Sequence, residues 1–489
     1  MTTDRTPVIA VSRRGADRIR AGHVWVYRSD VVEAEGVQPG AVVLVQEAGD
    51  TGTKRHAGKS ARAIPTLSDK NVRPTRPPVT RTLGSAFYST ASEIAVRMIS
   101  PKPVNDIEQL IRERIRAAIV YRERFVQDTN AYRVIFSEGD FLPGLIVDKY
   151  NDILSLQVLT QAWDPDPMRN IFLSELRVAL NPRVIVERID PRVRKLEQLP
   201  ERESGIVWQG NSPKYSNHED SFKYSNHDVI PNRFSGEEPG VPGREAASSS
   251  FRSASLLGMT SGERGATGAS PVEGSTSAIT TEFQMNSVRF LYDALGGQKT
   301  GAFLDQRENY RAAEKYARGE ALDVFTYQGG FALHLARSCD KVTGVDSSRP
   351  ALEAADQNAA LNGREIEWIE ANAFDLLRDY SDQGKRYDCV VLDPPAFAKS
   401  RRDLPTALRG YKELNLRALK MLRSGGILVS CSCSYHVSQS ELLETISAAA
   451  LDSHRILRIL ENRGASVDHP TILGIPETAY LKCSILLVT

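Results

Sequence analysis

The stretch ALDVFTYQGGFALHLARSCDKVTGVDSS, residues 321–348, decides the fold. It contains an apolar run of strand length, a glycine turn, a segment with helical spacing, and a second short apolar run that ends in an acid. This order predicts a β-α-β unit. Gly329 and Gly330 allow a sharp turn and the close approach of a ligand, and Asp346 is placed to accept hydrogen bonds from a ribose diol. We therefore predict a nucleotide-binding half-fold, with a purely structural strand-to-helix turn as the alternative.

The sequence that follows repeats the alternation of strands and helices. A helix at 350–361 leads to the apolar runs EIEWIEANAFDLL, YDCVVLDPPAFAKS and GGILVSCSCS, with a further helix between the last two. Such alternation predicts a mainly parallel, doubly wound α/β sheet whose ligands bind at the carboxyl ends of the strands. Four of these ends carry chemically marked residues, namely YQGG, Asp346, Asn372, and Asp393 with its two prolines. We expect the functional site at this edge of the sheet.

Changes in composition divide the rest of the chain. Residues 7–47 predict short strands around a small helix, and strand character returns after a polar, proline-rich stretch. An amphipathic helix at 105–128, a hairpin around KYND and a second helix predict a small α+β region. The predicted domains are 1–100, β-rich with an insertion at about 50–81; 101–200, α+β; 201–280, a low-complexity insertion; and 281–489, the doubly wound domain.

The segment 201–280 has a composition of its own. It is rich in Ser, Gly, Pro, Asn and Glu, and it half-repeats KYSNHEDS as KYSNHD. Because such a segment cannot bury enough apolar surface to offset the entropy of ordering, we predict that most of it is disordered. A metal site at His218 and His227 is the less favoured interpretation.

Charge and cysteine content limit the class of protein. The chain has 62 Lys and Arg against 61 Asp and Glu, so a nucleic-acid partner would require local basic patches. There is no apolar run of membrane-spanning length and no signal-peptide core, so we expect a cytoplasmic protein that does not enter a membrane. None of the five cysteines has C-x-x-C spacing, so we predict reduced thiols and no metal site. They are Cys339, Cys389, Cys431, Cys433 and Cys483.

The N-terminal region mixes basic and aromatic side chains. They are Arg13, Arg14, Arg18, Arg20, His23, Trp25, Tyr27 and Arg28. Such a set suits contacts with RNA phosphates and stacking on bases. An equally open alternative is a small barrel with Trp25 in its core and the arginines in solvent.

The motifs TGAFLDQREN, DVFTYQGGF, VD, ANAFD, LDPPAFAKS and SCSCS, in this order, strongly resemble those of class I S-adenosylmethionine (SAM)-dependent methyltransferases. More narrowly, the chain resembles the bacterial 23S ribosomal RNA large-subunit methyltransferase I family. These are cytosine-C5 enzymes with an N-terminal PUA domain, a small central α+β domain and a C-terminal Rossmann-like methyltransferase domain. The resemblance covers nearly the whole chain except the two polar insertions. It implies a PUA-like RNA-binding domain, SAM as cofactor, large-subunit ribosomal RNA as partner and a homodimer.

The cofactor-binding residues that the resemblance implies are Gln306, Arg307, Tyr327, Gln328, Gly329, Asp346, Asn372 and Asp393. The glycine turn would flank the methionine part of SAM, and Asp346 would hold the ribose hydroxyls. Asn372 would meet the adenine amino group with its one amide oxygen. Gln306 and Arg307 would help to close the site; the alternative is that both are surface residues that cap a helix.

The loop LDPPAFAKS lies on the substrate side in the resemblance. It implies a carboxylate of Asp393 between cofactor and target base, held in a rigid turn by two prolines. The substrate-binding residues of this loop are Pro394, Pro395, Phe397 and Lys399. Many N-methyltransferases carry a similar D/N-P-P motif that binds an exocyclic amino group. The loop alone therefore does not distinguish N-methylation from C-methylation.

The cysteines of VSCSCSYH distinguish the two reactions. Carbon 5 of cytosine is a poor nucleophile, and addition of a thiolate at carbon 6 creates an enamine that attacks a methyl electrophile. Counted from GGIL, Cys433 has emerged from the sheet, whereas Cys431 is predicted to pack within the strand. We therefore predict Cys433 as the nucleophile, with Asp393 as the second catalytic residue. Cys431 as the nucleophile, or two purely structural thiols, are the alternatives.

The sequence thus predicts a SAM-dependent enzyme that methylates carbon 5 of a cytosine in 23S ribosomal RNA through a covalent Cys433 adduct. Two other functions stay open. One is an RNA N-methyltransferase that uses the DPPAF loop and has structural cysteines. The other is an RNA-binding or ribosome-assembly protein that binds the cofactor without turnover.

Overall fold

The computed structural model describes residues 6–49, 81–210, 279–296 and 301–489. Nearly all of the predicted insertion at about 50–81 lies outside these ranges, as does most of the one at 201–280 with His218 and His227. No helix in the described ranges is both long enough and apolar enough to cross a membrane.

The N-terminal region is built on a six-stranded sheet. Its elements are β1 (Val8–Val11), α1 (Arg13–Arg20), β2 (Trp25–Tyr27), β3 (Val31–Glu33), β4 (Val42–Glu47), β5 (Thr82–Tyr88) and β6 (Ile94–Ser100). The strand order is β2-β6-β5-β4-β1-β3, with β1 and β4 parallel. Ile9, Val45 and Ala86 are fully buried in its core. Because β4 pairs with β5, the strands on the two sides of the first insertion belong to one sheet.

Trp25 does not face solvent. Its side chain is 5% exposed, and its Nε1 donates a hydrogen bond to Oε1 of Glu138, 3.0 Å away in the next region of the chain. The guanidinium of Arg28 donates to the carbonyl oxygens of Ser89 and Ser92. The interpretation of Trp25 as a base-stacking residue is therefore wrong, and the core position is correct. The sequence did not show this because the partner Glu138 lies more than a hundred positions away.

The central region is a five-stranded sheet with three helices. Its elements are α2 (Ile107–Phe125), β7 (Ala131–Phe136), β8 (Leu145–Tyr150), β9 (Ile153–Val158), α3 (Asp166–Leu180), β10 (Val184–Glu187), α4 (Pro191–Leu196) and β11 (Gly205–Gln209). The order is β11-β10-β9-β8-β7. Asp106 caps α2 by accepting from the backbone N–H of Gln109, and the apolar stripe of α2 packs on the sheet.

Strand β11 corrects one predicted boundary. It lies inside the segment 201–280 that composition assigned to a disordered insertion, yet it pairs antiparallel with β10. Val207 and Trp208 pack against the core of the central region. These few apolar residues were obscured by the polar composition of the longer segment.

The C-terminal region holds a hairpin and the predicted doubly wound sheet. Its elements are β12 (Thr280–Met285), β13 (Val288–Asp293), α5 (Arg307–Tyr316), β14 (Glu320–Val324), α6 (Gly330–Leu335), β15 (Lys341–Asp346), α7 (Arg349–Leu361), β16 (Glu367–Glu370), α8 (Ala373–Asp382), β17 (Tyr387–Leu392), α9 (Leu404–Met421), β18 (Leu422–Ser432), α10 (Gln439–Asp452), β19 (Leu457–Arg463) and β20 (Lys482–Val488).

The seven strands of this sheet follow the order β16-β15-β14-β17-β18-β20-β19. The first five are parallel, and β20 runs antiparallel to both of its neighbours. Successive residues of the central strands point to opposite faces, so Val391 and Val390 enter two separate cores. The predicted mainly parallel α/β fold is confirmed. Because β14, β15, β17 and β18 are parallel, their carboxyl ends lie at the same edge of the sheet.

Candidate active site

The glycine turn after β14 has the strained backbone that its sequence indicated. Tyr327 and Gly329 adopt positive φ angles of 52° and 83°. A side chain at Gly329 would bring its Cβ within 3.1 Å of the Trp368 ring, so glycine suits both the conformation and the space. The carbonyl oxygen of Gln328 accepts from the amide of Asn358, which fixes the turn against α7.

Asp346, the last residue of β15, is tied to this turn. Its Oδ2 accepts from the backbone N–H of Tyr327 at 3.0 Å, and its Oδ1 accepts from that of Ser348 at 2.9 Å. Both hydrogen bonds hold the carboxylate at the strand end, partly exposed. The structure thus brings together the predicted glycine turn and the predicted ribose-binding acid.

Asn372 occupies the carboxyl side of β16 but has a local partner. Its Oδ1 accepts from the backbone N–H groups of Phe374 and Asp375, at 3.0 and 3.4 Å, and so caps α8. This oxygen is the acceptor that the predicted contact with an adenine amino group requires. The geometry therefore favours a capping role for Asn372.

Gln306 and Arg307 are both buried, so the alternative of surface residues is wrong. The Nε2 of Gln306 donates to Oδ2 of Asp393 at 3.0 Å, which places Gln306 beside the substrate loop. Arg307 instead pairs with Asp468, with 2.9 Å between Nη1 and Oδ2. The two neighbours in sequence thus have different partners, because their side chains leave the start of α5 in different directions.

The DPPAF loop is anchored to the end of β18. Ser434 Oγ accepts from the backbone N–H of Ala398 at 3.3 Å and lies 3.1 Å from the hydroxyl of Tyr411. The ring of Phe397 packs on Tyr411 at a centroid distance of 4.8 Å. Pro394 is buried within the loop. The predicted substrate residues Pro395 and Lys399 are exposed at its surface.

The two candidate cysteines differ as the residue count predicts. Cys431 is fully buried inside β18, opposite Cys483 of β20. Cys433 follows the last residue of β18 and is partly exposed, with its Sγ 3.9 Å from the carbonyl oxygen of Pro394. Cys433 therefore lies beside the Asp393 loop. Cys389 and Cys483 are buried, and Cys339 is partly buried.

Several buried polar groups lie around Cys433 and Asp393. Asp305 Oδ2 accepts from the hydroxyl of Tyr480 at 2.6 Å, and both residues are buried. Lys482, at the start of β20, is also buried. Asp323 lies fully buried near the end of β14 and accepts from the backbone N–H of Ala332. Asp305 and Tyr480 are 175 positions apart, so no local spacing predicts their contact.

The electrostatics of this cluster are unusual for surface carboxylates and thiols. Burial, together with the nearby Asp305 and Asp323, raises the pKa of Asp393 to about 8. Burial raises the pKa of Asp323 to about 7. Burial and the charge of Asp393 raise the pKa of the Cys433 thiol to about 12. The cluster therefore contains groups able to hold or release protons near neutral pH, a property that is typical of active sites.

Comparison with known proteins matches this arrangement to one family. Residues 269–477 match the model for S-adenosylmethionine-dependent methyltransferases, and residues 9–51 match the model for PUA-like domains. A ribosomal RNA large subunit methyltransferase I from Photobacterium profundum is 31% identical over 409 residues, which cover 82% of this chain and 86% of the relative. The protein of the same name from Vibrio cholerae is 32% identical over 416 residues, 83% of this chain and 88% of the relative.

Solved structures show the same fold. A protein described as a methyltransferase and complexed with SAH aligns with a TM-score of 0.68 at 15% identity, over 98% of this chain and 100% of the other. A protein described as a SAM-dependent methyltransferase from Streptococcus mutans aligns with a TM-score of 0.67 at 14% identity, over the same shares.

Proposed function

Since the chain belongs to the ribosomal RNA large subunit methyltransferase I family of SAM-dependent enzymes, we propose that it methylates carbon 5 of a cytosine in large-subunit ribosomal RNA. The proposed nucleophile is Cys433 and the proposed base is Asp393. The PUA-like N-terminal region would hold the RNA near the site, and residues 281–489 would carry the catalytic domain.

The residues at the ends of β14 and β15 fit the cofactor. A carboxylate held by two backbone N–H groups suits a ribose diol, and a glycine with positive φ leaves room for the ligand's methionine part beside the turn. When bound, SAM supplies an electrophilic methyl group. Asp346, Gly329 and the backbone of Tyr327 and Gln328 would orient it.

The chain's own residues would perform the remaining chemistry. The Cys433 thiolate would donate an electron pair to carbon 6 of the cytosine, and the electrons displaced from the C5–C6 double bond would bond carbon 5 to the methyl group, whose former bonding pair would stay on the cofactor sulfur. The ionised form of Asp393, a minor fraction at neutral pH because its pKa is raised to about 8, then accepts the C5 proton. The electrons of the C5–H bond restore the double bond, and the S–C6 bond breaks with its pair returned to sulfur. A target cytosine in an RNA helix must first leave the stack, at a cost of a few kcal/mol.

One observation carries this proposal: the position of Cys433 just beyond β18, with its sulfur against the Pro394 carbonyl of the Asp393 loop. A thiol and a carboxyl group on adjacent strand ends meet the needs of C5 methylation. An N-methyltransferase requires no thiol, since an exocyclic nitrogen has its own lone pair. The fully buried Cys431 lacks the access that an attacking sulfur needs.

The test is product analysis. Large-subunit ribosomal RNA that lacks the modification is incubated with the protein and SAM labelled at its methyl group, and the RNA is then digested to nucleosides. We expect the label in 5-methylcytidine. Label in an N-methylated nucleoside would contradict the proposal, and cofactor binding without transfer to any RNA or ribosomal particle would favour a binding protein.

A further inference from the structure

Lys482 is a buried lysine with no obvious structural reason for its charge. The residue is 6% exposed. Its Nζ donates to the carbonyl oxygens of Ser434 at 2.6 Å and Tyr480 at 2.8 Å. Within the described residues it forms no ion pair with a carboxylate. A buried ammonium without a counter-charge is costly, and a Met of similar shape would avoid that cost.

The anchoring of Lys482 places its charge around Cys433. Strand pairing sets Lys482 opposite Ser432, the residue before Cys433. Its first acceptor is the carbonyl group of Ser434, the residue after Cys433, and its second belongs to Tyr480, which contributes to the apolar cluster that Cys433 packs against. The ammonium group is therefore bound to the residue that follows Cys433 and to a residue of the cluster that Cys433 packs against.

The other titratable groups near Cys433 come from four places in the chain. Asp393 follows β17, Asp305 precedes α5, Tyr411 belongs to α9, and Tyr480 lies two residues before Lys482, the first residue of β20. The two carboxylates disfavour a thiolate, whereas the charge of Lys482 lowers the pKa of the Cys433 thiol. Lys482 thus opposes the effect of the acidic groups.

We propose that Lys482 is a positioning residue whose ammonium charge stabilises the Cys433 thiolate; this proposal rests on the proposed role of Cys433 as the nucleophile. The S–H bond breaks with its electron pair left on sulfur, and the proton passes to water. Lys482 keeps its own proton throughout, and its two hydrogen bonds hold the charge in place. Substitution by a neutral side chain would make the thiol a weaker acid.

The pH range of this effect follows from burial. Burial lowers the pKa of Lys482 to about 8. Below this pH the ammonium is charged and assists ionisation of the thiol; above it the assistance is lost. A plot of log alkylation rate against pH for Cys433 should therefore rise, flatten around pH 8, and rise again. Asp393, which becomes charged over the same range, would also flatten the plot and must be separated from Lys482.

The experiment measures alkylation of Cys433 by iodoacetamide between pH 6 and pH 10, with the modified peptide quantified by mass spectrometry. The proteins are the native chain, Lys482→Met, Lys482→Arg, Asp393→Asn and, as a matched control, Lys420→Met at the exposed end of α9. Well below the pKa of the thiol, the rate is proportional to its acid constant. A rise of one pKa unit therefore lowers the rate tenfold.

We expect Lys482→Met to react about tenfold more slowly than the native chain at pH 7 and to keep only the flattening that Asp393 causes near pH 8. Lys482→Arg and Lys420→Met should keep most of the native rate at pH 7. The flattening should persist in Asp393→Asn. The Asp393→Asn profile tests the proposal even if Lys482→Met does not fold. If its log alkylation rate rises with pH as a straight line of unit slope, the proposal is overturned.

An unchanged rate in folded Lys482→Met, as judged by SAM binding, would also overturn it. The alkylation reaction needs neither RNA nor methyl transfer. A failure of the proposed C5 chemistry would show in the nucleoside product and leave these rates unaltered, so the two failures are distinguishable.

Discussion

The two halves of the site differ in how their charged groups are held. On the cofactor side, Asp346 is partly exposed and both of its oxygens accept from backbone N–H groups. On the substrate side, Asp393, Cys433 and Lys482 have pKa values shifted by burial and by neighbouring charges. The first half is held by the backbone in a geometry suited to binding a ligand. The second half is built for groups that gain or lose charge during a reaction.

The two sides of the site also differ in which segments of the chain form them. The cofactor side comes from one continuous β-α-β unit, β14 to β15. The substrate side joins the segment before α5, the ends of β17 and β18, and the start of β20. Local backbone geometry therefore fixes the first half, and tertiary packing fixes the second.

The largest effect is expected for Cys433→Ala. Loss of a covalent nucleophile should lower methyl transfer on the order of 10³-fold or more. Cys431→Ala is the matched control, two residues earlier in the same segment. It should keep transfer within a few-fold while lowering the free energy of unfolding by about 1 kcal/mol, because it leaves a small cavity. The opposite result in the two variants would move the nucleophile to Cys431. Initial rates with labelled SAM and denaturant unfolding measure the two quantities.

The next effect concerns the cofactor side. Asp346→Ala removes the carboxylate proposed to accept from the ribose hydroxyls, and charged hydrogen bonds of this kind contribute about 1.5–3 kcal/mol. We expect SAM binding to weaken by about 10- to 100-fold, measured by calorimetry. Asp356→Ala, at an exposed position of α7, is the control and should bind normally. Equal affinity in both variants would remove Asp346 from the cofactor site.

The cofactor side of the site is predicted from the sequence more fully than the substrate side. The alternating strands and helices, the glycine turn and Asp346 are local patterns, and the structure brings them together as expected. The position of Cys433 beyond the strand also follows from counting residues along β18. Gln306, Asp305 and Lys482 acquire their partners only in the folded chain, and Asn372 has a capping role that competes with the expected one. The sequence left two alternatives open for Trp25 and misassigned β11, because composition does not reveal tertiary partners.

A smaller effect tests the raised pKa of Asp393 on the substrate side. The carboxyl group of Asp393 has its pKa raised to about 8 in the folded chain, above the 3.8 of an ordinary aspartate. Between these values the folded state retains a proton that the unfolded state releases. The contribution of this carboxyl group to the free energy of unfolding is therefore greatest below about pH 4 and decreases as the pH rises towards 8. Asp393→Asn lacks this loss. Relative to the native chain, it should gain at least about 1 kcal/mol of stability between pH 5 and pH 8, measured by denaturant unfolding. A pH-independent difference would refute the shift.

The smallest effect is expected at the edge of the substrate loop. Lys399 is exposed, and the proposal gives it a contact with RNA. Lys399→Ala should weaken RNA binding by a few-fold and reduce the slope of log affinity against log salt by about one, the effect of a single phosphate contact. Lys420→Ala, at the exposed end of α9, is the control. Equal salt slopes in the two variants would show that Lys399 does not contact the RNA.

The most direct test of the central claim is to trap the bond between Cys433 and the target base. RNA transcribed with 5-fluorocytidine has no C5 proton to lose, so the thiol adduct should persist after methyl transfer. Incubation with SAM, denaturation and peptide mapping should then show a covalent protein–RNA complex linked at Cys433 and absent from Cys433→Ala. A complex linked at Cys431, or methyl transfer to normal RNA with no trapped complex from the fluorinated RNA, would contradict the proposed mechanism.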